Sequence, residues 1–500
     1  MPCDIIPMNA LLYAAIRRYD AARSGVITAD SVPFGVNRFP PAKLFQALDH
    51  GIGGLASAED YYELAVQLSR FYGGKIETVP KVPVRSLKDF AIWYTPGVAA
   101  VSRAIARDKD ESFNLTNRWN TIAVITNGSR VLGLGDIGPE ASLPVMEGKA
   151  LIFKYLGGVD AVPLPIRAST PEKFVEIAEA LEPAFGGFNL EDISSPECFQ
   201  ILEELSRRLE VPVWHDDQLG TAASTLAALI NALKVTGRTV RGTRVVLLGA
   251  GAANIATAIM LEKYGFDPGD MILVDTKGVL HPEREDMDSL MLRHRWKYEL
   301  AIRTNRSRVK GGLEEALVDA DVLIAASRPG PGVIKPEHIR LMARDPIVFA
   351  LANPVPEIWP WEAKQAGAAV VATGRSDFPN QVNNSLVFPS VFRGALDVRS
   401  KGITYESAIA AAVELARFAE EKGISPDYII PTMEEWEVYP RVAAAVADWL
   451  SRNGFARRPT TYEEEVERAK NIIGRARRVL EEMVRTELVR PIPTSGRQPV

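Results

Sequence analysis

The feature that most constrains the fold is a glycine-rich turn, GAGAAN at 249–254, which joins an apolar run to a helical run. The run before it, RVVLLG, has the length and branched side chains of a buried strand, and ANIATAIMLEKYG after it has helical periodicity. At such a turn Gly249 permits the tight bend, Gly251 permits a close approach of the backbone to a pyrophosphate, and the helix start attracts phosphate. The residues predicted to bind a dinucleotide here are Gly249, Ala250, Gly251, Ala252, Ala253 and Asn254.

The next apolar run, MILVDT at 271–276, contains Asp275, at the distance expected for a carboxylate that binds the ribose of a dinucleotide. Asp275 can accept hydrogen bonds from both ribose hydroxyls of NAD⁺ and would repel the 2′-phosphate of NADP⁺. Lys277 could neutralise that phosphate, although a flexible lysine is a less selective phosphate ligand than arginine. We therefore expect NAD to be preferred and NADP to be used measurably. The alternative is a tight turn with a surface aspartate.

Short apolar runs alternate with helical stretches along much of the chain. TIAVIT at 121–126 and DAVPLPI at 160–166 are the clearest early runs, and a second series begins after residue 220. Two later runs, at 321–327 and 347–353, are apolar throughout, as strands buried on both faces of a parallel sheet require. The alternation predicts an α/β fold with two units.

The two ends of the chain are predicted to be helical extensions of this α/β core. Residues 1–72 contain runs with apolar residues at three- and four-residue spacing. The segment 462–488 is predicted to be an amphipathic helix, and such a helix is more typical of packing or subunit contact than of catalysis. A loose tail is expected after it.

Length and composition exclude several classes of protein. At 500 residues the chain exceeds what one hydrophobic core usually serves, and 58 Lys+Arg against 63 Asp+Glu leave no basic excess for nucleic acid or anionic membranes. Only Cys3 and Cys198 occur, too few for a disulfide framework, so a reducing compartment is expected. No signal peptide is recognised, and the longest apolar stretch, 245–261, is shorter than a membrane span. We expect a cytoplasmic globular protein with no nucleic-acid or membrane partner.

Two acidic pairs follow apolar, strand-like segments. Glu191 and Asp192 come after FGGFNL, and Asp216 and Asp217 come after VPVWH. Adjacent carboxylates repel each other unless they are solvated or neutralised by a cation, and carboxylate oxygens at strand ends suit Mg²⁺ or Mn²⁺. The alternative, that these residues only cap helices at the surface, deserves similar weight on the pattern alone.

Several long blocks, in this order, closely resemble the malic enzymes of bacteria and archaea. The blocks are YTPGVA (94–99), RVLGLGDIGPEASLPVMEGKALIFKYLGGVDAVPLPI (130–166), NLEDIS (189–194), HDDQLGTA (215–222), ANPVPE (352–357) and ATGRSDFPNQVNNSLVFPSVFRGALDV (372–398). The resemblance covers roughly 73–447. It implies a substrate and metal domain at 73–222 and a Rossmann-type NAD(P)-binding domain with closing helices at 223–447, and it leaves a helical tail at 448–500 outside.

The resemblance implies oxidative decarboxylation of L-malate to pyruvate and CO₂, with reduction of NAD(P)⁺ and with a divalent metal, Mg²⁺ or Mn²⁺. The implied metal ligands are Glu191, Asp192 and Asp217, and Asp216 would lie behind them or act in a proton relay. Lys149, in MEGKAL, would be the base that takes the C2 hydroxyl proton, and its pKa must fall from about 10.4 for this. Tyr94 would be the acid that protonates C3, since a phenol stays protonated at neutral pH.

The substrate and nicotinamide pocket is implied by four further residues. Arg130 would clamp a malate carboxylate with its planar fork of donors. Asn353, Asn383 and Asn384 would line the pocket, and Asn384 is favoured over Asn383 for contact with substrate. Leu219 and Asn254 depart from the residues common in the family, although neither carries an implied chemical role.

Three alternatives stay open at this point. The chain could oxidise a related 2-hydroxy dicarboxylic acid, or convert malate to lactate while retaining NAD. It could also be a catalytically silent nucleotide-sensing homologue, but such a protein predicts a replaced catalytic position and none is found. The resemblance further implies a homodimer or homotetramer, to which the extensions could contribute contacts.

Overall fold

The fold is an α/β arrangement built on two sheets. The structure, a computed structural model, describes residues 58–491. The chain divides into two compact units, Ile76–Val479 and a smaller unit of Met1–Lys75 with Leu480–Val500. The predictions for residues 1–57 and for the end of the tail, 492–500, lie outside the described residues.

The first sheet has four strands, all paired in parallel. The strands are β1 (Thr121–Thr126), β2 (Asp160–Pro165), β3 (Gly187–Leu190) and β4 (Val213–His215). Their order is β2-β1-β3-β4, so β3 and β4 are neighbours and end at the same edge. The apolar run TIAVIT forms β1 over its whole length, as predicted, and its residues after Thr121 are buried.

Helices connect these parallel strands, because a parallel pair needs a crossover connection. The α-helices that precede β4 in the described chain are α1 (Ala58–Tyr72), α2 (Phe90–Trp93), α3 (Val98–Arg107), α4 (Ser112–Leu115), α5 (Gly138–Gly157), α6 (Pro171–Leu181) and α7 (Glu197–Arg208). α1 lies in the smaller unit and agrees with the predicted helical end. α5 leads from β1 to β2, with its first residue Gly138 at a positive φ of 79°.

The second sheet has six strands. They are β5 (Val245–Leu248), β6 (Met271–Asp275), β7 (Gly278–Val279), β8 (Val322–Ala325), β9 (Ile347–Ala350) and β10 (Val370–Thr373). The order is β10-β9-β8-β5-β6-β7, and every pair is parallel except β6 with β7. The strand order therefore reverses at β5, with β6 on one side and β8 on the other, which makes the carboxyl end of β5 the expected position of a ligand crevice.

The remaining helices follow β4. They are α8 (Thr221–Val235), α9 (Ala252–Tyr264), α10 (Met287–Arg293), α11 (Arg295–Arg303), α12 (Leu313–Leu317), α13 (Pro336–Arg340), α14 (Pro360–Gln365), α15 (Phe388–Asp397), α16 (Tyr405–Lys422), α17 (Val438–Arg452) and α18 (Tyr462–Arg485). Some of them, such as α15 and α17, contact α5 beside the first sheet. α8 is almost entirely buried between α9 and α16. One hydrophobic cluster includes residues from both sheets.

The α/β fold class with parallel sheets is confirmed. The runs predicted as strands at 321–327 and 347–353 contain β8 and β9, whose residues are all buried. The predicted amphipathic helix at 462–488 is α18, which buries Ala469 and Ile473. The domain boundaries after 72, 222 and 447 stay a prediction. None of the helices in 58–491 combines the length and the apolar character that a membrane span needs.

Candidate active site

A lysine and four carboxylates meet at the carboxyl ends of β3 and β4. Glu191 and Asp192 directly follow β3, and Asp216 and Asp217 directly follow β4. Because β3 and β4 are parallel neighbours, the four side chains arrive at one edge of the sheet. One oxygen from each of Glu191, Asp192 and Asp217 lies within 4.8 Å of the others. Three of the predicted site carboxylates therefore share one small space.

Lys149 reaches this space from α5. Its Nζ lies 3.2 Å from Glu191 Oε1, and it donates a hydrogen bond to Asp216 Oδ2. It also lies 3.5 Å from Asn384 Oδ1, which the chain supplies from beyond β10. The lysine side chain is only 12% exposed. The fold thus joins Lys149, the acidic pairs and Asn384, which are distant in sequence.

The backbone at this edge is shaped around Asp216. Residues Asp216–Gly220 form one turn of π-helix, a feature found mostly at functional sites. Gly220 has to lack a side chain, since a Cβ there would lie 2.0 Å from Asp216 Oδ1. Trp214 Nε1 donates to that same oxygen at 3.0 Å. Asp216 is therefore fully buried and held from two sides.

Asp192 and Asp217 are also held by the backbone. Asp192 has a positive φ of 54°, and its N–H donates to Asp217 Oδ2 at 2.9 Å. The carbonyl of Asp192 accepts from the N–H of Arg130 at 3.1 Å, and Asp192 Oδ1 accepts from the N–H of Leu132 at 3.3 Å. Asp192 Oδ2 is buried and has no hydrogen-bond partner among residues 58–491. An unpaired buried carboxylate oxygen is costly, so it indicates room for a cation.

The pKa values of the four carboxyl groups also indicate that this group binds a cation. Burial, and then the charge of Asp217, raise the pKa of Asp192 to about 7. Burial likewise raises the pKa of Glu191, Asp216 and Asp217 above their usual range. Four carboxylates share the cationic side chains of Lys149 and Arg130, which leaves two negative charges in excess. A divalent cation would balance them, and oxygen donors suit Mg²⁺ or Mn²⁺.

The pKa of Lys149 is set by opposing effects. Burial lowers it, but the negative charges of Asp216 and Glu191 outweigh burial and raise the pKa above its ordinary value. Lys149 is therefore an ammonium while the acidic group has no cation. A positive ion bound among the carboxylates would act in the opposite direction on this pKa.

The other predicted pocket residues differ in their hydrogen bonds and in their exposure. Asn383 Oδ1 accepts from the N–H of Ser385 at 2.9 Å and its Nδ2 donates to the carbonyl of Gly374 at 3.3 Å, so Asn383 shapes the turn that presents Asn384. Asn353 is exposed just after β9. Tyr94 is 68% exposed, and no hydrogen bond or ion pair joins its side chain to another residue of 58–491. The role of Tyr94 in the site stays a prediction.

The glycine turn lies where the strand order of the second sheet reverses. Gly249 has a positive φ of 96°, and a Cβ there would lie 2.4 Å from the carbonyl oxygen of Ala326. A Cβ at Gly251 would meet open space, as the approach of a pyrophosphate requires. Asn254 Nδ2 donates to the carbonyls of Leu248 and Gly249 at 2.8 and 3.0 Å, so this departure from the family pattern braces the turn. Ala250 precedes α9, and Ala252 and Ala253 begin it.

Asp275 lies in a group of charges that the sequence did not predict. Its Oδ1 accepts from Arg284 Nη1 at 3.0 Å, and its Oδ2 accepts from Lys297 Nζ at 3.3 Å. Lys277, which could have neutralised a 2′-phosphate, lies with its Nζ 3.0 Å from Asp286 Oδ2. Arg284 and Lys297 lie 9 and 22 positions after Asp275, on a loop and in α11, so no spacing rule points to them.

Glu357 was also missed, although it stands in the ANPVPE block. Its buried carboxylate accepts from the N–H of Ser327 at 2.8 Å and from the N–H of Ala352 at 3.1 Å. Ser327 follows β8 and Ala352 follows β9, so one side chain fixes both strand ends beside the crevice. A glutamate among apolar residues and prolines was the available signal.

Together, these two sites define a class of protein. A dinucleotide turn at the strand reversal of one sheet and a lysine among carboxylates at the edge of another define a dinucleotide-dependent oxidoreductase. α9, which begins at the glycine turn, packs against the π-helical turn 216–220, so the two sites adjoin. The profile of the malic enzyme N-terminal domain matches residues 73–171, and that of the malic enzyme NAD-binding domain matches 219–450. The chain belongs to the malic enzyme family.

Individual relatives agree with this assignment. The bifunctional malic/malolactic enzyme of Bacillus subtilis is 46% identical over 82% of this chain and 98% of its own length. The NAD-dependent malic enzyme of Geobacillus stearothermophilus is 47% identical over 77% of this chain and 78% of its own. The crystal structure of the Entamoeba histolytica malic enzyme superposes with a TM-score of 0.85 and 44% identity, and covers 87% of this chain and 91% of its own.

The predictions of the family, of an NAD(P)-dependent malic enzyme activity and of an NAD(P) cofactor are confirmed. Relatives named as NADP-dependent malic enzymes match as well, for example at 42% and 40% identity. The roles of individual site residues and the metal stay predictions.

Proposed function

We propose that the chain carries out the oxidative decarboxylation of L-malate at the group of Lys149 and the four carboxylates, with a divalent cation held by Glu191, Asp192 and Asp217. The observation that carries this proposal is the excess of buried negative charge around one lysine, with the unpaired oxygen of Asp192 among it. A bound divalent cation would supply polarisation of the C2 oxygen, and a bound NAD(P)⁺ would supply the hydride acceptor.

Lys149 takes the proton of the malate C2 hydroxyl as the alcohol is oxidised. For this it must first be a neutral amine. Asp216 Oδ2 already accepts a hydrogen bond from Lys149 Nζ, so the carboxylate of Asp216 is placed to take the ammonium proton and pass it on. Lys149 Nζ also donates to Asn384 Oδ1 at 3.5 Å, which helps to hold the amine beside Asp216.

Arg130 binds a carboxylate of malate. Its backbone N–H is anchored on Asp192, while its side chain is exposed and its charge acts on Asp217. A guanidinium beside the acidic group can hold an anionic substrate with paired hydrogen bonds. Tyr94 donates the proton to C3 after CO₂ leaves; this role rests on the YTPGVA block and on the chemistry of a phenol.

Product analysis tests the proposal. With L-malate, NAD⁺ and Mn²⁺, we expect pyruvate, CO₂ and NADH in equal amounts, and excess chelator should stop all three. Asp217→Ala should lose nearly all turnover and keep the fold, as judged by circular dichroism. Full activity in chelator, or in Asp217→Ala, would contradict the metal site.

A second candidate is the conversion of malate to lactate without release of NADH. The observation that favours it is the name of the Bacillus subtilis relative, a bifunctional malic/malolactic enzyme. Lactate formed from malate with a catalytic amount of NAD⁺ would support this activity, and accumulation of pyruvate and NADH without lactate would exclude it.

We further propose the domain boundaries, the compartment and the oligomeric state expected from the sequence. The substrate and metal domain spans 73–222 and the NAD(P)-binding domain spans 223–447, and the chain acts as a cytoplasmic homodimer or homotetramer. Light scattering after size exclusion measures the oligomer, and a monomer at micromolar concentration would contradict this part.

A further inference from the structure

Five charged side chains surround the end of β6, and we call them the Asp275 cluster. The cluster consists of Asp275, Lys277, Arg284, Asp286 and Lys297. Arg284 bridges the two carboxylates, with Nη1 at 3.0 Å from Asp275 Oδ1 and Nη2 at 2.8 Å from Asp286 Oδ2. Lys297 Nζ lies 3.3 Å from Asp275 Oδ2, and Lys277 Nζ lies 3.0 Å from Asp286 Oδ2. Three cations therefore meet two carboxylates.

In the Asp275 cluster, neighbouring cationic side chains neutralise the carboxylate of Asp275. Each of its oxygens accepts from a cation, and Oδ1 also accepts from the N–H of Lys277 at 2.8 Å. Its side chain is only 9% exposed. A carboxylate so occupied offers ribose hydroxyls few free lone pairs and repels a phosphate weakly, because adjacent positive charges cancel its own.

Lys277 is the cluster member that solvent and ligands can reach. Its side chain is 65% exposed, whereas Arg284 and Lys297 are nearly buried. Asp286, its partner, has a pKa lowered to about 2, mainly by hydrogen bonds from Arg284, so it stays ionised and already satisfied by that guanidinium. The Lys277 ammonium can therefore leave Asp286 for another anion at little cost.

We propose that the Asp275 cluster makes the adenosine end of the cofactor site a site for the 2′-phosphate of NADP⁺. Lys277 contacts the phosphate, and Arg284 and Lys297 act as positioning residues that cancel the charge of Asp275. The proposal rests on the NAD(P) site at the glycine turn. It reverses the preference for NAD⁺ expected from Asp275 and Lys277 alone, and it predicts that the chain binds NADP⁺ at least as tightly as NAD⁺.

Calorimetry on the full chain, with 2′,5′-ADP and 5′-AMP as probes, tests the proposal without turnover. We expect wild type to bind 2′,5′-ADP more tightly than 5′-AMP. Lys277→Ala should weaken 2′,5′-ADP about tenfold, the effect of one charge-assisted contact, and leave 5′-AMP within about twofold. Lys310→Ala is the matched control, because this nearby exposed lysine pairs with Glu283 outside the cluster.

A rescue separates charge cancellation from mere structural damage. Lys297→Met should weaken 2′,5′-ADP because it uncovers the charge of Asp275, and adding Asp275→Asn to that variant should restore it. Tighter binding of 5′-AMP by wild type, equal loss of both probes in Lys277→Ala, or no rescue in the double variant would each overturn the proposal. Failure of both probes to bind wild type would overturn it together with the placement of the dinucleotide.

Discussion

The two charged groups at the strand ends of this chain have opposite net charges. Around Lys149, four carboxylates, three of them buried, share two cationic side chains, and within residues 58–491 one oxygen of Asp192 has no hydrogen-bond partner. Around Asp275, three cations meet two carboxylates, and both oxygens of Asp275 are paired. Both groups follow parallel strands, and both contain residues expected from sequence to bind a ligand.

The difference shows which of the two groups needs an added ion to balance its charges. In the first group burial raises the carboxyl pKa values because no sufficient positive charge is near, so the group is complete only with an added cation. In the second group the protein supplies the positive charge itself. The second group therefore needs no added cation and can accept an added anion.

The largest expected effect comes from removing the one lysine of the acidic group. Lys149→Met should lower kcat for NADH formation from malate by about 10³-fold, since general base catalysis contributes roughly 10²–10⁴. Lys154→Met, on the same helix but exposed and paired with Asp160, is the control and should keep wild-type activity. A rate within tenfold of wild type in Lys149→Met would place the base elsewhere.

Paired changes in the two groups should shift the melting temperature in opposite directions. Without metal, Asp192→Asn removes a repelled charge and keeps a residue that accepts positive φ, so we expect a rise of about 1–3 °C. Asp275→Asn leaves Arg284 and Lys297 without their carboxylate, so we expect a fall of a few degrees, from roughly 2 kcal/mol. Scanning calorimetry in chelator measures both. Shifts of the same sign would contradict the comparison.

A third buried group sharpens the comparison, because its charges balance without any ligand. Asp397 pairs with Arg393, and Glu465 Oε2 pairs with Arg468 at 2.8 Å. Burial, and then the charge of Asp397, raise the pKa of Glu465 to about 9. Burial together with the neighbouring Asp397 thus favours the protonated form of Glu465 even where the numbers of acidic and basic side chains are equal.

This raised pKa predicts a pH dependence of stability. The folded pKa of Glu465 lies above the unfolded value near 4.3, so its contribution is fully present below about pH 4 and is lost as pH rises through about 9. The free energy of unfolding should therefore fall steadily as the pH rises across this window. Glu465→Gln should flatten the slope, while Glu463→Gln, exposed on the same helix, should not. Equal slopes of stability against pH in wild type, Glu465→Gln and Glu463→Gln would show that Glu465 does not cause this pH dependence.

The smallest expected effect concerns Glu357. Glu357→Gln keeps the size of the side chain but turns an amide N–H₂ toward the N–H of either Ser327 or Ala352, so one of the two hydrogen bonds is lost. We expect a severalfold rise in KM for NAD(P)⁺ with less change in kcat, because the strand ends beside the crevice move and the lysine group does not. A change confined to kcat would show that Glu357 acts on the chemistry instead.

Much of the fold follows from sequence because its signals are local. TIAVIT predicted β1, and the strand–GAGAAN–helix order predicted the crevice at β5, since buried strands and tight turns are specified by adjacent residues. The acidic pairs could be placed at one edge because they directly follow their strands. Their meeting with Lys149 was available only through the resemblance to malic enzymes.

The rest could not be predicted because it depends on distant contacts. Arg284 and Lys297 reach Asp275 from a loop and from α11, and nothing in their own surroundings in the sequence marks them. Glu357 acts through backbone N–H groups of two strands, which no side-chain pattern records. Tyr94 was assigned to the site by its motif, and in the described chain its side chain is exposed and unpaired.

The most direct test of the central claim is a count of bound Mn²⁺ by electron paramagnetic resonance of the full chain. The account predicts one Mn²⁺ per chain in wild type, a dissociation constant at least about tenfold weaker in Asp192→Asn, and no change in Asp275→Asn. No bound Mn²⁺ in wild type, or equal binding by wild type and Asp192→Asn, would contradict it.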